Sequence, residues 1–143
     1  MLIDANILLY SIDEDSPFHV AARDWMVAAL NGAQRVGIPW ISMWAFLRIS
    51  TNPRALDQPL TPAEAWEHIG AWLDAPATWI PEPGRGHRAI LGSLLLQHDV
   101  RATLITDAVL AAISIEHGLT IISADSDFAR FRQVPWINPV APG

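Results

Sequence analysis

Short apolar runs alternate with longer amphipathic segments along this chain. Met1-Leu2-Ile3, Val36-Gly37-Ile38-Pro39, Thr78-Trp79-Ile80 and residues 119–122 are brief, mostly β-branched stretches that predict strands. Val134 to Ile137 adds an edge strand. The longer segments have helical spacing. Ala5 to Ile12 predicts a short helix ended by Asp13-Glu14-Asp15. Ser16-Pro17 reads as the N-cap and first position of a second helix. That helix runs to about Leu30 with Ala21, Trp25, Ala28 and Ala29 inward, closed by Asn31-Gly32.

Trp40 to Thr51 predicts a helix that is apolar nearly all round, carrying Trp44, Phe46, Leu47 and Ile49, and Asn52-Pro53 stops it. Thr61-Pro62-Ala63-Glu64 is a capping box with Pro at the first helical position. Its helix places Trp66, Ile69, Trp72 and Leu73 on one stripe and ends at Ala75-Pro76. A loop from Pro81 to Gly86 leads to a helix over His87 to His98, with Ile90, Leu91, Leu94 and Leu95 inward. Thr106-Asp107 opens the last long helix, which reaches His117 with Gly118 just past its end. Strands alternating with helices at these lengths predict a parallel sheet wrapped by helices. No linker, repeat or low-complexity tract breaks the 143 residues, which read as one domain over 1–143.

Two carboxylate motifs stand at strand ends. Ser123-Ala124-Asp125-Ser126-Asp127-Phe128 follows the strand at 119–122, and Asp4 follows Met1-Leu2-Ile3. In open α/β sheets, ligands bind just beyond the carboxyl ends of the strands. If those two strands are parallel neighbours, Asp4, Asp125 and Asp127 converge on one rim as hard oxygen ligands for a divalent cation. Each motif also has a structural reading: Asp125-x-Asp127 as a loop turn, Asp4 as a helix N-cap, and Asp107 as another N-cap. A calcium loop of the EF-hand type is excluded, because Ala129 and Arg130 occupy its fifth and sixth positions. Glu116 falls on the far side of its helix from Asp107 and is left out of the site.

Composition narrows the chemistry. A hydrophobic content of 51% argues against disorder. No apolar run approaches a membrane span and no basic leader is visible, so a cytoplasmic location with no membrane contact is expected. With no Cys there is no disulfide framework, zinc–thiolate site or thiol nucleophile. There are no lysines either; the positive charges are nine arginines. That removes P-loop nucleotide chemistry and receiver-type phosphotransfer, each of which needs a Lys. The net charge of −6 argues against simple electrostatic coating of nucleic acid but not against a nuclease, since cation-binding carboxylates supply part of it.

Asp4-Ala5-Asn6, Thr106-Asp107-Ala108 and Ser123-x-Asp125-x-Asp127-Phe128 together resemble a PIN domain. Further agreement lies in Phe46-Leu47-Arg48-x-x-Thr51-Asn52-Pro53, Pro59-Leu60, Glu116-His117-Gly118 and Phe128-Ala129-Arg130-Phe131, which look like the VapC toxins of bacterial toxin–antitoxin pairs. The resemblance spans the whole chain. It implies a three-layer α/β/α fold and a Mg²⁺- or Mn²⁺-dependent endoribonuclease. Such toxins cut structured RNA, often tRNA or ribosomal RNA, and are held inactive by a VapB-type antitoxin; a homodimer is the family expectation. Carried over by position, Asp4, Asp107, Asp125 and Asp127 are catalytic and metal-site residues. Asn6, Ser123 and Thr106 are groups that orient them.

The chain departs from the family at one point. PIN domains usually carry a Glu in the helix after the second strand, and here that position falls at Ala45, or at Arg48 in another register. No carboxylate occurs between Asp24 and Asp57, so the number of metals is open.

Oxygen-only ligands favour Mg²⁺ or Mn²⁺ over zinc. The expected chemistry is metal-activated water attacking a phosphodiester in line, with 5′-phosphate and 3′-hydroxyl products implied by the resemblance. Arg130 and Arg132 are the candidates for steering the RNA backbone, ahead of Arg48 and Arg54. The five histidines read as surface or capping residues, and the tryptophans as core. Some of Trp40, Trp44, Phe46, Trp66 and Trp72 instead suit a second subunit or the antitoxin. A PIN-like scaffold that binds RNA or a partner without catalysis is the alternative from another class. A haloacid-dehalogenase-like phosphatase is a weaker one, because Asn6 stands where its second Asp belongs.

Overall fold

The computed structural model describes residues 1–142. Five two-residue strands form one sheet: β1 (Leu2–Ile3), β2 (Val36–Gly37), β3 (Thr78–Trp79), β4 (Ile121–Ile122) and β5 (Trp136–Ile137). Their order is β3-β2-β1-β4-β5. Every neighbouring pair is parallel, with Leu2 opposite Gly37 on one side and Ile121 on the other. Six helices surround the sheet: α1 (Ala5–Ile12), α2 (His19–Leu30), α3 (Trp40–Ser50), α4 (Pro62–Asp74), α5 (His87–Gln97) and α6 (Leu104–His117). A 3₁₀ turn at Ser126–Arg130 follows β4. This is the three-layer α/β/α arrangement.

The sheet separates two cores. Ile3, Ile7, Leu8, Met43, Phe46, Ile69 and Ile122 pack on one face with α1 to α4. Leu2, Leu94, Leu110, Ile121, Phe128 and Phe131 pack on the other with α5 and α6. Leu2 and Ile3, like Ile121 and Ile122, therefore point to opposite faces, and every one is at most 2% exposed. That is why these strands are continuous apolar runs rather than alternating ones.

Local signals work where a side chain meets its own backbone. The Thr61–Glu64 capping box is complete, with reciprocal bonds of 3.0 and 3.1 Å. Gly118 ends α6 in the left-handed conformation, φ 66°, where a Cβ would be strained. Several expectations need correction. Helix α2 buries Ala22 and Met26, whereas Ala21 and Ala28 are exposed. The Ser16 hydroxyl accepts from the Phe18 N–H and its carbonyl accepts from His19, a turn that delays α2 to His19. Helix α6 starts at Leu104 rather than Thr106, entered through Ala102 at φ 53°, so Asp107 is not a cap. Trp66 and Trp44 are 57% and 62% exposed. Of the α4 stripe Ile69 and Trp72 are buried while Leu73 is half-buried, and α5 buries only Leu94 fully. Helical spacing names a stripe, but the neighbour on each side decides how wide the covered part is.

Candidate metal centre

The connections out of β1 turn one way to β2, whereas the path from β3 crosses back to place β4 on the other side of β1. The seam between β1 and β4 is therefore the switch point of the sheet, where chain segments diverge and leave a crevice. Asp4 is the residue after β1, and Asp125 and Asp127 follow β4. Asp107 reaches the same rim from the first turn of α6.

Asp107, Asp125 and Asp127 each offer a carboxylate oxygen, and these oxygens lie within 4.8 Å of one another. Asp4 is not one of those three, but its charge is felt at Asp107. The Asp107 carboxyl is pushed up to about 7, first by burial and then by Asp125, Asp4 and Asp127; Arg130 opposes the shift. Burial also raises Asp4 above the ordinary carboxylate value, against the hydrogen bonds from Ser123 and Ala5, and Asp125 adds to the rise. Anionic oxygens held this close repel, and a hard divalent cation is the species that relieves them. The donor set is all oxygen and fits Mg²⁺ or Mn²⁺.

A polar network holds the acids in place. Asp4 caps α1, its Oδ1 accepting from the Ala5 N–H at 2.7 Å. Its Oδ2 accepts from the Ser123 hydroxyl at 2.7 Å and the Asn6 amide at 3.3 Å. The Ser123 oxygen in turn accepts from Asn6 Nδ2 at 3.1 Å and the Asp125 N–H at 3.0 Å. Asn6 Oδ1 accepts from the Ala124 N–H at 3.2 Å. Asn6 and Ser123 thus stitch the end of β1 to the end of β4. Asp125 Oδ1 accepts from the Asp127 N–H at 2.8 Å. The turn reading of this motif holds, and it leaves the second Asp125 carboxylate oxygen without a backbone partner.

Arg130 lies 3.7 Å from Asp127. Arg132, Arg48 and Arg54 are exposed and form no ion pair among the described residues. Thr106 departs from expectation: it is exposed and makes no hydrogen bond to the aspartates. The buried Ser42 hydroxyl donates to the Ile3 carbonyl at 2.7 Å, tying α3 to the end of β1. Ala45, one turn on from Ser42, shares its face, which favours Ala45 over Arg48 as the position of the absent Glu.

Three side-chain anchors escaped the sequence reading. Trp136 of β5 donates its indole N–H to the Ser123 carbonyl at 2.9 Å. Glu116 is as remote from the acids as expected, but it accepts from the N–H groups of Gly84 and Gly86 at 2.8 Å each. His117 Nε2 meets the Glu82 carbonyl at 2.8 Å. No local pattern announces partners that far along the chain. A cavity of about 390 Å³, lined by none of the four acids, lies between Trp40 and Trp44 of α3, Pro81 and Pro83, and Val109 and Ile113 of α6.

The sequence profile of the PIN domain matches residues 1–134. The chain belongs to the PIN-domain family. Among relatives, ribonuclease VapC37 of Mycobacterium tuberculosis is 39% identical over 140 residues, covering 98% of this chain and 97% of its own. Ribonuclease VapC33 of the same species is 36% identical over 137 residues, 96% of each chain. Solved structures share the fold. VapBC2 from Rickettsia felis bound to a promoter DNA fragment superposes with a TM-score of 0.67, at 16% identity over 96% of each chain. FitAcB from Neisseria gonorrhoeae gives 0.65, at 17% identity over 99% of each. Every one of the PIN-type acids proposed from the sequence, save the Glu, thus has a place at one rim.

Proposed function

We propose that this chain is a Mg²⁺- or Mn²⁺-dependent endoribonuclease toxin, one domain over 1–143, that cuts structured RNA of the transfer or ribosomal class and is restrained by a VapB-type antitoxin. The observation that carries the reading is the cluster of Asp107, Asp125 and Asp127 with oxygens within 4.8 Å, beside Asp4 at the switch point. The relatives named VapC ribonucleases and the neighbour named as a VapBC assembly support the same assignment.

A divalent cation held by Asp107, Asp125 and Asp127 would supply charge to activate water and neutralise the phosphate oxygens of the substrate. The chain's own residues do the rest. Asp107, Asp125 and Asp127 would hold the ion through their carboxylate oxygens, and its charge would favour the ionised form of Asp107. Asp4 is held at one orientation by Ser123 and Ala5. Arg130, and beyond it Arg132, meet the RNA backbone as charge partners for phosphate. With no carboxylate at Ala45, a second cation would find fewer protein ligands. A binding scaffold without chemistry gains nothing from three converging carboxylates, so the nuclease reading is preferred.

No helix among the described residues is long and apolar enough to cross a membrane. We read the chain as a cytoplasmic homodimer, with the exposed indoles of Trp44 and Trp66 available for burial in assembly. The test is incubation of purified protein with structured RNA in Mn²⁺ or in chelator, with end-group analysis. Internal cuts bearing 5′-phosphates that vanish in chelator are expected. Cleavage undiminished by chelator sinks the metal assignment, and intact RNA in Mn²⁺ sinks the nuclease reading.

A further inference from the structure

We infer that Trp136 is a positioning residue for the metal centre, acting through the main chain of Ser123; the inference rests on the nuclease reading for its purpose but not for its geometry. Ser123 is completely buried. Its hydroxyl donates to Asp4 Oδ2 and accepts from Asn6 Nδ2 and the Asp125 N–H. One atom therefore sets the relative placement of Asp4 and Asp125, and the backbone on both sides of Ser123 decides where that atom lies.

Two bonds from β5 hold the two peptide units that flank Ser123. The Ser123 N–H donates to the Ile137 carbonyl at 3.1 Å, continuing the β4–β5 ladder. The Ser123 carbonyl has left the ladder, and it accepts from the Trp136 indole at 2.9 Å. The indole thus supplies, from a side chain, the donor that a longer strand would supply from its backbone. Strand β5 ends at Ile137, so no further ladder bond is available to that carbonyl. Trp136 is half-buried and packs against the α5–α6 core, which holds the ring while its N–H faces the peptide. Groups that orient metal ligands from behind commonly change metal affinity or activity by 10–100-fold when removed.

Trp136→Phe keeps an aromatic ring and deletes the donor; Trp136→Met, made in parallel, also deletes the donor and fills the space with a flexible apolar chain if Phe fails to fold. Three readouts are taken on the full chain: Mn²⁺ affinity by calorimetry, melting temperature without metal, and backbone amide exchange. The expected result is Mn²⁺ binding weakened by about 10-fold, with a metal-free melt close to wild type. The amides of Ala124 and Asp125, which bond to Asn6 and Ser123, should exchange faster. In the Ser123→Ala background, Trp136→Phe should add little further loss, because both act on the same hydroxyl.

Unchanged Mn²⁺ affinity with unchanged exchange at Ala124 and Asp125 overturns the inference. So does a loss that simply adds to that of Ser123→Ala. If wild-type protein binds no Mn²⁺, the nuclease reading fails instead, and the exchange at Ala124 and Asp125 still decides whether Trp136 positions Ser123.

Discussion

Helix α6 carries a carboxylate at each end, and the two behave in opposite ways. Asp107, in the first turn, is pushed up to about 7. Glu116, in the last turn, is held below the ordinary glutamate value, chiefly by the Gly84 N–H, with Gly86 also contributing. The helix dipole alone predicts the reverse, since it favours an anion at the N-terminus and disfavours one at the C-terminus. That effect is typically 0.3–1 kcal/mol at exposed positions, which is less than about one pKa unit. Burial among three other acids outweighs it at one end, and two backbone donors outweigh it at the other. One carboxylate is left wanting a counter-charge; the other is already satisfied. This difference separates a ligand from a structural clasp.

The largest expected effect breaks the comparison at one end. Asp107→Asn should reduce Mn²⁺-dependent RNA cleavage by orders of magnitude, on the scale of about 10²–10³-fold or more seen when a charge-stabilising group is removed. The metal-free protein should melt higher, because a repelled carboxylate is gone. Glu116→Gln should leave cleavage near wild type and lower stability, as the 81–86 loop loses its charged acceptor. Equal loss of cleavage in both variants would erase the distinction.

A second effect, of intermediate size, is read in pH. Asp107 has a folded-state value of about 7, above its ordinary 3.8. Between those values the folded protein binds more protons than the unfolded one, so stability falls as pH rises from 4 to 7. Glu116 has the opposite sign: its stabilisation is present above the ordinary glutamate value and is lost as pH falls through its lowered one. Metal-free melts should therefore be higher at pH 5 than at pH 8. Saturating Mn²⁺ should reverse this, stabilising the pH 8 form by about 2.7 kcal/mol at 100 times Kd. A metal-free melt that is flat across this range, and equally flat in Asp107→Asn, contradicts the raised Asp107.

The smallest effect sharpens the site rather than breaking it. Ala45→Glu restores a carboxylate on the face of α3 that Ser42 ties to the end of β1. Tighter Mn²⁺ binding with an intact fold is expected, measured by titrating Mn²⁺ against melting temperature and cleavage. A destabilised variant with no gain in affinity would mean that position faces the apolar core, where an unpaired charge is costly.

Much of this was legible along the chain, for a physical reason. A capping box, a left-handed Gly118 and a strand-end Asp each act on atoms a few residues away, so Thr61, Glu64, Gly118 and Asp4 declare themselves in one dimension. The same holds for the Asp125-x-Asp127 turn. Helix starts were less legible: Ser16 and Asp107 look like caps, but the turn at Ser16 and the left-handed entry at Ala102 set the true starts at His19 and Leu104.

What the sequence by itself determined was the alternation of strands and helices, the parallel sheet those lengths require, and the identity of the acids that could share a rim. Only the tertiary structure decided that β4 lies beside β1, because strand order depends on which apolar faces find each other across the whole chain. That choice brings Ser123 to Asp4 and sets the burial that raises Asp107. The same distance dependence gives Glu116 to Gly84 and Gly86, gives the Ser123 carbonyl to Trp136, and leaves Trp44 and Trp66 uncovered. Desolvation and Coulomb energy are set by separation in space, and separation along the chain carries no measure of it.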